Sequence, residues 1–97
     1  MEAASQLLNR RRRLLAELGE LGDLIAGSFF EREMNGVCRH CLSRMVGGRQ
    51  RQVYVSEANR DAVRRGVRQY RRAMEVLREL GETNLELVKK GVVPDDD

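Results

Sequence analysis

Arginine side chains dominate the chemistry that this sequence can carry, and they cluster in one stretch. Six of them fall within thirteen residues, with Asp61 as the one carboxylate among them: Arg60, Arg64, Arg65, Arg68, Arg71 and Arg72. A guanidinium group can bind a phosphate through two parallel hydrogen bonds, whereas a lysine ammonium acts as a point charge. The stretch therefore predicts contact with a polyanion, whose phosphates would relieve the repulsion between neighbouring arginines.

Further arginines add to this signal. Sixteen of the eighteen basic residues are arginine, Arg10 to Arg13 form a second run, and three more lie in the middle segment at Arg44, Arg49 and Arg51. The alternative is an ordinary solvated helix face neutralised by nearby carboxylates. The candidate carboxylates are Glu17, Glu20, Glu31, Glu33, Glu75 and Glu79. We favour phosphate contact, because the arginines outnumber the acidic residues beside them.

Two cysteines, Cys38 and Cys41, have the spacing of a zinc knuckle. A tetrahedral site needs four ligands, so this one would need a second copy of the chain or a carboxylate such as Glu33. The default interpretation has no cofactor: Cys41 is buried at a strand end beside Tyr54, and Cys38 is exposed. A redox role is not favoured, because the motif enters a strand and not a helix.

No arrangement typical of catalysis is apparent in the sequence. There is no serine with a matching histidine and aspartate, no glycine-rich loop between a strand and a helix, and no carboxylate pair in an apolar segment. His40 is interpreted as an exposed loop histidine. We therefore expect a protein that is not an enzyme.

Apolar spacing predicts two helices. Leu7, Leu14 and Leu21 form a stripe on a helix of about 2–22, and a second helix of about 57–90 begins after Ser56. A seam at alternating spacings of four and three should face the first helix: Val63, Val67, Tyr70, Met74, Leu77, Gly81, Asn84 and Val88. A polar residue in such a seam, here Asn84, typically specifies how helices pair.

Strands are predicted at about 28–34, 41–46 and 49–55, with Gly47-Gly48 as a two-residue hairpin turn. That turn places Arg44 opposite Arg51. The expected fold is α+β and mostly helical: an antiparallel, coiled-coil-like helical hairpin with a small three-stranded antiparallel sheet inserted between the helices. Residues 1–94 are expected to form a single domain, and residues 95–97 a disordered acidic tail.

No segment has the roughly 18 consecutive apolar residues that a membrane span needs, and the chain begins without a secretory signal. The sequence thus predicts a cytoplasmic protein without a membrane partner.

Several short motifs carry a resemblance to a known family. They are Gly27-Ser28, Cys38 to Cys41, Tyr54-Val55, Tyr70-Arg71-Arg72 and Asn84-Leu85-Glu86-Leu87. In this order they resemble a family of small uncharacterised prokaryotic proteins often found on plasmids and near transposition genes. The family usually has a longer, cysteine-richer loop that this chain lacks. The resemblance implies a mobile-element setting and no known activity.

These observations favour a non-enzymatic nucleic-acid-binding accessory protein, with DNA favoured over RNA as its partner. The alternative is a coiled-coil interaction or oligomerisation module without a nucleic-acid role. Its apolar seams would form a homodimer or bind a partner helix.

Overall fold

The computed structural model describes residues 3–93. Helix α1 spans Ala4–Glu20. Helix α2 spans Arg60–Lys89 and follows a single 3-10 turn at Glu57–Asn59. The predicted acidic tail, residues 95–97, lies outside the described residues.

Three strands lie between the helices in the chain: β1 at Ser28–Met34, β2 at Val37–Val46 and β3 at Arg49–Val55. They form one antiparallel sheet in the order β1-β2-β3. The predicted α+β, mostly helical fold with an inserted three-stranded sheet is confirmed. No helix within residues 3–93 is long and apolar enough to cross a membrane.

The chain divides into two compact units, and α2 contributes to both. Unit 1 contains residues 3–22 and 72–93 of the described range, so α1 packs there against the later part of α2. Unit 2 is Asp23–Arg71 and contains the sheet with the earlier part of α2. Each unit buries its own apolar side chains.

The core of unit 1 is a thin layer between antiparallel helices. Leu14, Val76 and Leu80 form its central cluster, with Leu18 packed beside them. Leu7 and Leu87 are its largest fully buried side chains. At the end of α2 the Val92 N–H donates to the Leu87 carbonyl at 2.9 Å and Gly91 follows the last turn, the predicted glycine stop.

In unit 1, the prediction of which α2 residues pack against α1 is wrong by one position. The buried positions there are Ala73, Val76, Leu80, Thr83 and Leu87. The predicted residues Met74, Leu77 and Val88 are instead 50%, 49% and 62% exposed. Both stripes have helical spacing, but the stripe that packs on α1 supplies two leucines and a valine, whereas the predicted one would bury Gly81 and Asn84 and so less apolar area.

The sheet confirms the predicted hairpin register. Gly47 and Gly48 both have positive φ, 57° and 79°, as a two-residue primed turn requires. Arg44 consequently faces Arg51, and Cys41 faces Tyr54. The turn chemistry and the alternation of side chains specify the same register, so no slip occurs.

Strand β2 begins four residues earlier than predicted. Asn35 and Gly36 form a second two-residue turn with positive φ, 53° and 77°, which pairs Met34 directly with Val37. The Asn-Gly dipeptide is the signal that would have located this hairpin. As a result, Cys38 to Cys41 lie inside a continuous strand and not in a loop.

Candidate nucleic-acid interface

The first part of α2 is attached to the segment that precedes the sheet. The Ile25 N–H donates to the Gly66 carbonyl at 3.1 Å, and the Asp23 N–H donates to Gln69 Oε1 at 3.0 Å. Val67 is buried beside this contact. These contacts lie on one side of α2, so arginines on its other sides can stay exposed to solvent.

Three of the predicted arginines on this helix point into solvent. Arg65, Arg68 and Arg71 are exposed, and none of them forms an ion pair with a carboxylate in the described part of the chain. Arg65 and Arg68 lie on the side of α2 opposite Val67 and Gly66, because a residue advances 100° around a helix. Their guanidinium groups are available to an anionic partner.

Two further arginines of α2 have partners within unit 2. Arg64 is exposed and its guanidinium carbon lies 5.6 Å from the centroid of the Phe29 ring. Arg60 is half-buried and pairs with Glu57 at 3.0 Å and Asp61 at 3.4 Å. Arg64 thus keeps its hydrogen-bond donors available above an aromatic face, whereas Arg60 is partly neutralised.

The hairpin arginines lie on a single face of the sheet. Arg44, Arg49 and Arg51 are exposed and lack carboxylate partners among residues 3–93. Strand alternation places them on the same face as Phe29 and Leu42, which are cross-strand neighbours. Because Arg64 lies over Phe29, this is also the face that α2 approaches. Like charges opposite each other, as at Arg44 and Arg51, repel unless an anion is bound.

Arg72 does not belong to this group. It lies in unit 1, where its Nη2 donates to Glu17 Oε1 at 2.7 Å, its Nε donates to Glu17 Oε2, and its Nη1 donates to Glu75 Oε2 at 3.1 Å. Both carboxylates were among the candidates for a neutralised helix face. At Arg72 the helix face is neutralised by carboxylates, because the forked guanidinium binds the Glu17 carboxylate through two hydrogen bonds.

The Glu17 to Arg72 pair predicts a pH dependence of stability. Hydrogen bonding to Arg72 holds the pKa of the Glu17 carboxyl below its ordinary value. A lowered folded-state pKa stabilises the fold above the ordinary carboxyl pKa, and that contribution is lost as the pH falls through the lowered pKa. We expect Glu17→Gln to lower the urea midpoint at pH 7 and to have little effect near pH 2, measured by circular dichroism.

The matched control is Glu20→Gln, at an exposed carboxylate of the same helix without an ion pair to any described residue. It should leave the midpoint nearly unchanged at both pH values. An equal effect of the two substitutions at pH 7 would contradict the role given to Glu17.

A buried histidine connects the sheet to the 3-10 turn that precedes α2. His40 Nε2 lies 2.8 Å from Glu57 Oε2, and its ring stacks on Phe29 with centroids 5.8 Å apart. The prediction of an exposed loop histidine is wrong, because the Asn35-Gly36 turn places His40 in β2 on the face of Leu42. The array of Arg64, Phe29, His40 and Glu57 positions the helix against the sheet.

The two cysteines do not come together. They are three positions apart in β2, so their side chains leave opposite faces of the sheet. Cys41 is fully buried opposite Tyr54, and Cys38 is exposed, as the default interpretation expected. Two cysteines at this spacing bind one zinc ion when the segment between them is a turn. Here that segment is an extended strand, so the two thiols cannot bind the same ion. Among residues 3–93, no three metal-binding side chains cluster.

The Cys38 thiol is also held in its neutral form. Desolvation and the Glu31 carboxylate, whose Oε2 lies 3.7 Å from Sγ, raise the pKa of Cys38. A thiol is a weak nucleophile and metal ligand compared with a thiolate.

Positive charge is concentrated in unit 2. Asp23–Arg71 contains ten arginines and five carboxylates, a net charge of +5. The rest of the chain has eight basic and ten acidic residues, a net charge of −2. Nine of these ten arginines are exposed and form no ion pair with a described carboxylate. The seven of them that lie on α2 or near the Gly47-Gly48 turn are hereafter the arginine surface: Arg44, Arg49, Arg51, Arg64, Arg65, Arg68 and Arg71.

The fold and this surface define a small α+β protein with a basic unit built around a three-stranded sheet. No family model, curated protein or solved structure matches the chain. The resemblance to plasmid-borne and transposition-associated proteins therefore stays a prediction.

Proposed function

We propose that this protein is a non-enzymatic nucleic-acid-binding accessory protein that contacts phosphates through the arginine surface. One observation carries the proposal: every arginine of this surface is exposed without a carboxylate partner in the described chain, and unit 2 has a net charge of +5. Such a set is costly without an anion, because neighbouring like charges repel. Phosphates remove that cost and release condensed counterions on binding.

The mode of recognition is expected to be independent of sequence. Guanidinium groups spread over a helix and a hairpin can follow a phosphate backbone, but phosphate contacts do not distinguish bases. Two such elements suit the closely spaced charges of a nucleic-acid duplex, and DNA is favoured over RNA as the partner because the family resemblance implies a mobile-element setting. A mobile-element setting, implied by the family resemblance, is part of the same proposal.

The test is fluorescence-anisotropy titration of short duplex DNA, duplex RNA and single strands at several salt concentrations. The variant replaces Arg65, Arg68 and Arg71 with alanine. We expect its affinity for duplex DNA at low salt to fall by more than about tenfold. The slope of log affinity against log salt should flatten by about 3, since each phosphate contact contributes about 0.9.

The control removes the same charge from unit 1 through Arg12→Ala, Arg13→Ala and Arg78→Ala. A loss confined to the first triple variant supports a local surface, whereas equal losses would indicate a response to net charge alone. If wild-type protein fails to bind every nucleic acid at low salt, the proposal fails and the interaction module becomes the leading function.

A further inference from the structure

The sheet of unit 2 has a second face, opposite the one that Arg64 and Glu57 approach. We call it the open face; it consists of the even-numbered positions of β1 and β3 and the odd-numbered positions of β2. Two of the four aromatic residues of the chain, Phe30 and Tyr54, lie on it as the cross-strand neighbours of Cys41. Cys41 is fully buried, whereas Tyr54 is 58% exposed.

The Tyr54 side chain lies across the sheet. Its hydroxyl donates to Met34 Sδ at 3.7 Å. Tyr54 belongs to β3 and Met34 to β1, so the ring passes over β2, which runs between them. A ring in this orientation has one side against the sheet and the other open to solvent, which is the geometry that stacking of a second flat ring requires.

The charge of the open face is entirely positive. Both strand carboxylates, Glu31 and Glu33, alternate onto the opposite face, so Arg32 and Arg39 are the charged residues of the open face within the three strands. These two arginines are exposed and directly opposite each other, and neither forms an ion pair with a described carboxylate. Two like charges in this position repel until an anion is bound.

A pocket of about 430 Å³ adjoins the open face toward the Gly47-Gly48 turn. Its polar lining includes the Ser28 and Ser43 hydroxyls, the Gln50 amide and the Arg44 guanidinium, and its lining residues include no carboxylate. Ser43 is held by a hydrogen bond from Gln50 Nε2 at 2.7 Å. Neutral hydrogen-bonding groups of this kind suit the edges of a nucleobase, and Arg44 suits a phosphate.

We propose that the open face binds unpaired nucleotides of DNA, with one base stacked on Tyr54, phosphates at Arg32 and Arg39, and a neighbouring base in the pocket beside Ser43. The face combines an exposed ring with positive charge, and single-stranded nucleic acid combines flat rings with negative charge. Bases of a duplex are stacked on each other, so they cannot offer a ring face to Tyr54. The inference rests on the proposed nucleic-acid role and adds a site that requires bases, whereas the arginine surface requires phosphates alone.

The test compares two labelled probes by fluorescence anisotropy with full-length protein: a short thymidine strand and an abasic strand of the same length. The probes carry equal charge, but only the first can stack. Wild-type protein should bind the thymidine strand at least about fivefold more tightly. Tyr54→Leu should abolish most of that preference, and Tyr54→Phe, which keeps the ring, should retain it. Arg39→Ala should weaken both probes equally and flatten the salt slope by about 0.7.

Duplex DNA is the control for folding and for the proposed function. Tyr54→Leu should change duplex affinity by less than about twofold, because the arginine surface does not include Tyr54. Equal affinity of wild-type protein for the two strands, or an unchanged preference in Tyr54→Leu, would overturn the inference even if duplex DNA binds. Failure to bind duplex DNA with the thymidine preference intact would overturn only the role of the arginine surface.

A second measurement reports on stacking directly. The chain has no tryptophan and two tyrosines, so Tyr70→Phe, which keeps the ring beside the pocket, leaves Tyr54 as the single tyrosine. Its fluorescence should be quenched by the thymidine strand and not by the abasic strand, since contact with a base provides the quenching. Absence of quenching by a bound thymidine strand would contradict stacking on Tyr54.

Discussion

Replacing Leu87 with alanine is expected to lower the free energy of unfolding by about 3 kcal/mol. Leu87 has 0% of its surface exposed and is one of the two largest fully buried side chains of unit 1. The core there is a single layer between two helices, so few neighbours can move inward to fill the space. The lost transfer free energy and the remaining cavity both contribute to the cost. Urea denaturation followed by circular dichroism measures it.

Leu85→Ala is the matched control for this substitution. It removes the same atoms from the same helix two residues away, where the side chain is 50% exposed. We expect a loss of less than about 1 kcal/mol. Both variants are compared at one protein concentration. Similar losses at the two positions would contradict the described burial of α2.

Gly66→Ala is expected to destabilise unit 2 by about 2 kcal/mol, even though alanine is the better helix former. A methyl group at Gly66 would lie 2.6 Å from Ile25 Cδ1 and 2.8 Å from the Asp23 carbonyl oxygen. Ile25 can change rotamer, but the Asp23 backbone is held by its hydrogen bond to Gln69. The strain must therefore displace the segment that joins α1 to the sheet.

The control is Gly19→Ala in α1, where the added methyl group meets no atom within 4 Å. That variant should gain up to about 1 kcal/mol from helix propensity. Opposite signs for the two substitutions, measured by thermal and urea unfolding, are the expected result. A stabilising Gly66→Ala would show that the close approach to Asp23 does not constrain the unit.

Gly66 also relates stability to the proposed function. It lies between Arg65 and Arg68, so the contact that it permits sets the rotation of α2 relative to the segment at Ile25. That rotation decides which arginines point to solvent. We therefore expect Gly66→Ala to weaken nucleic-acid binding beyond what its unfolded fraction explains.

Much of the fold could be predicted from local patterns. The hairpin at Gly47-Gly48 and its register follow from turn chemistry combined with alternation, so Arg44 opposite Arg51 was predictable. The end of α2 at Gly91 followed from its glycine. The Asn35-Gly36 dipeptide predicts a turn in the same way, and that turn places Cys38 and His40 inside β2.

Two features needed the tertiary structure. Helix α2 has two adjacent apolar stripes, and either satisfies a helical period; only packing against α1 selects Val76, Leu80 and Leu87 and leaves Leu77 and Val88 exposed. In the same way, sixteen arginines look alike in sequence, but Arg72 is placed where Glu17 can bind it.

The sequence by itself determined the elements, the sheet register and the abundance of arginine, because these depend on neighbours a few positions apart or on composition alone. Tertiary structure decided which apolar stripe is core, which arginines are neutralised and where Cys38 and Cys41 point. Those outcomes depend on pairs distant in the chain, such as Glu17 with Arg72 and Asp23 with Gly66, and periodicity carries no information about them.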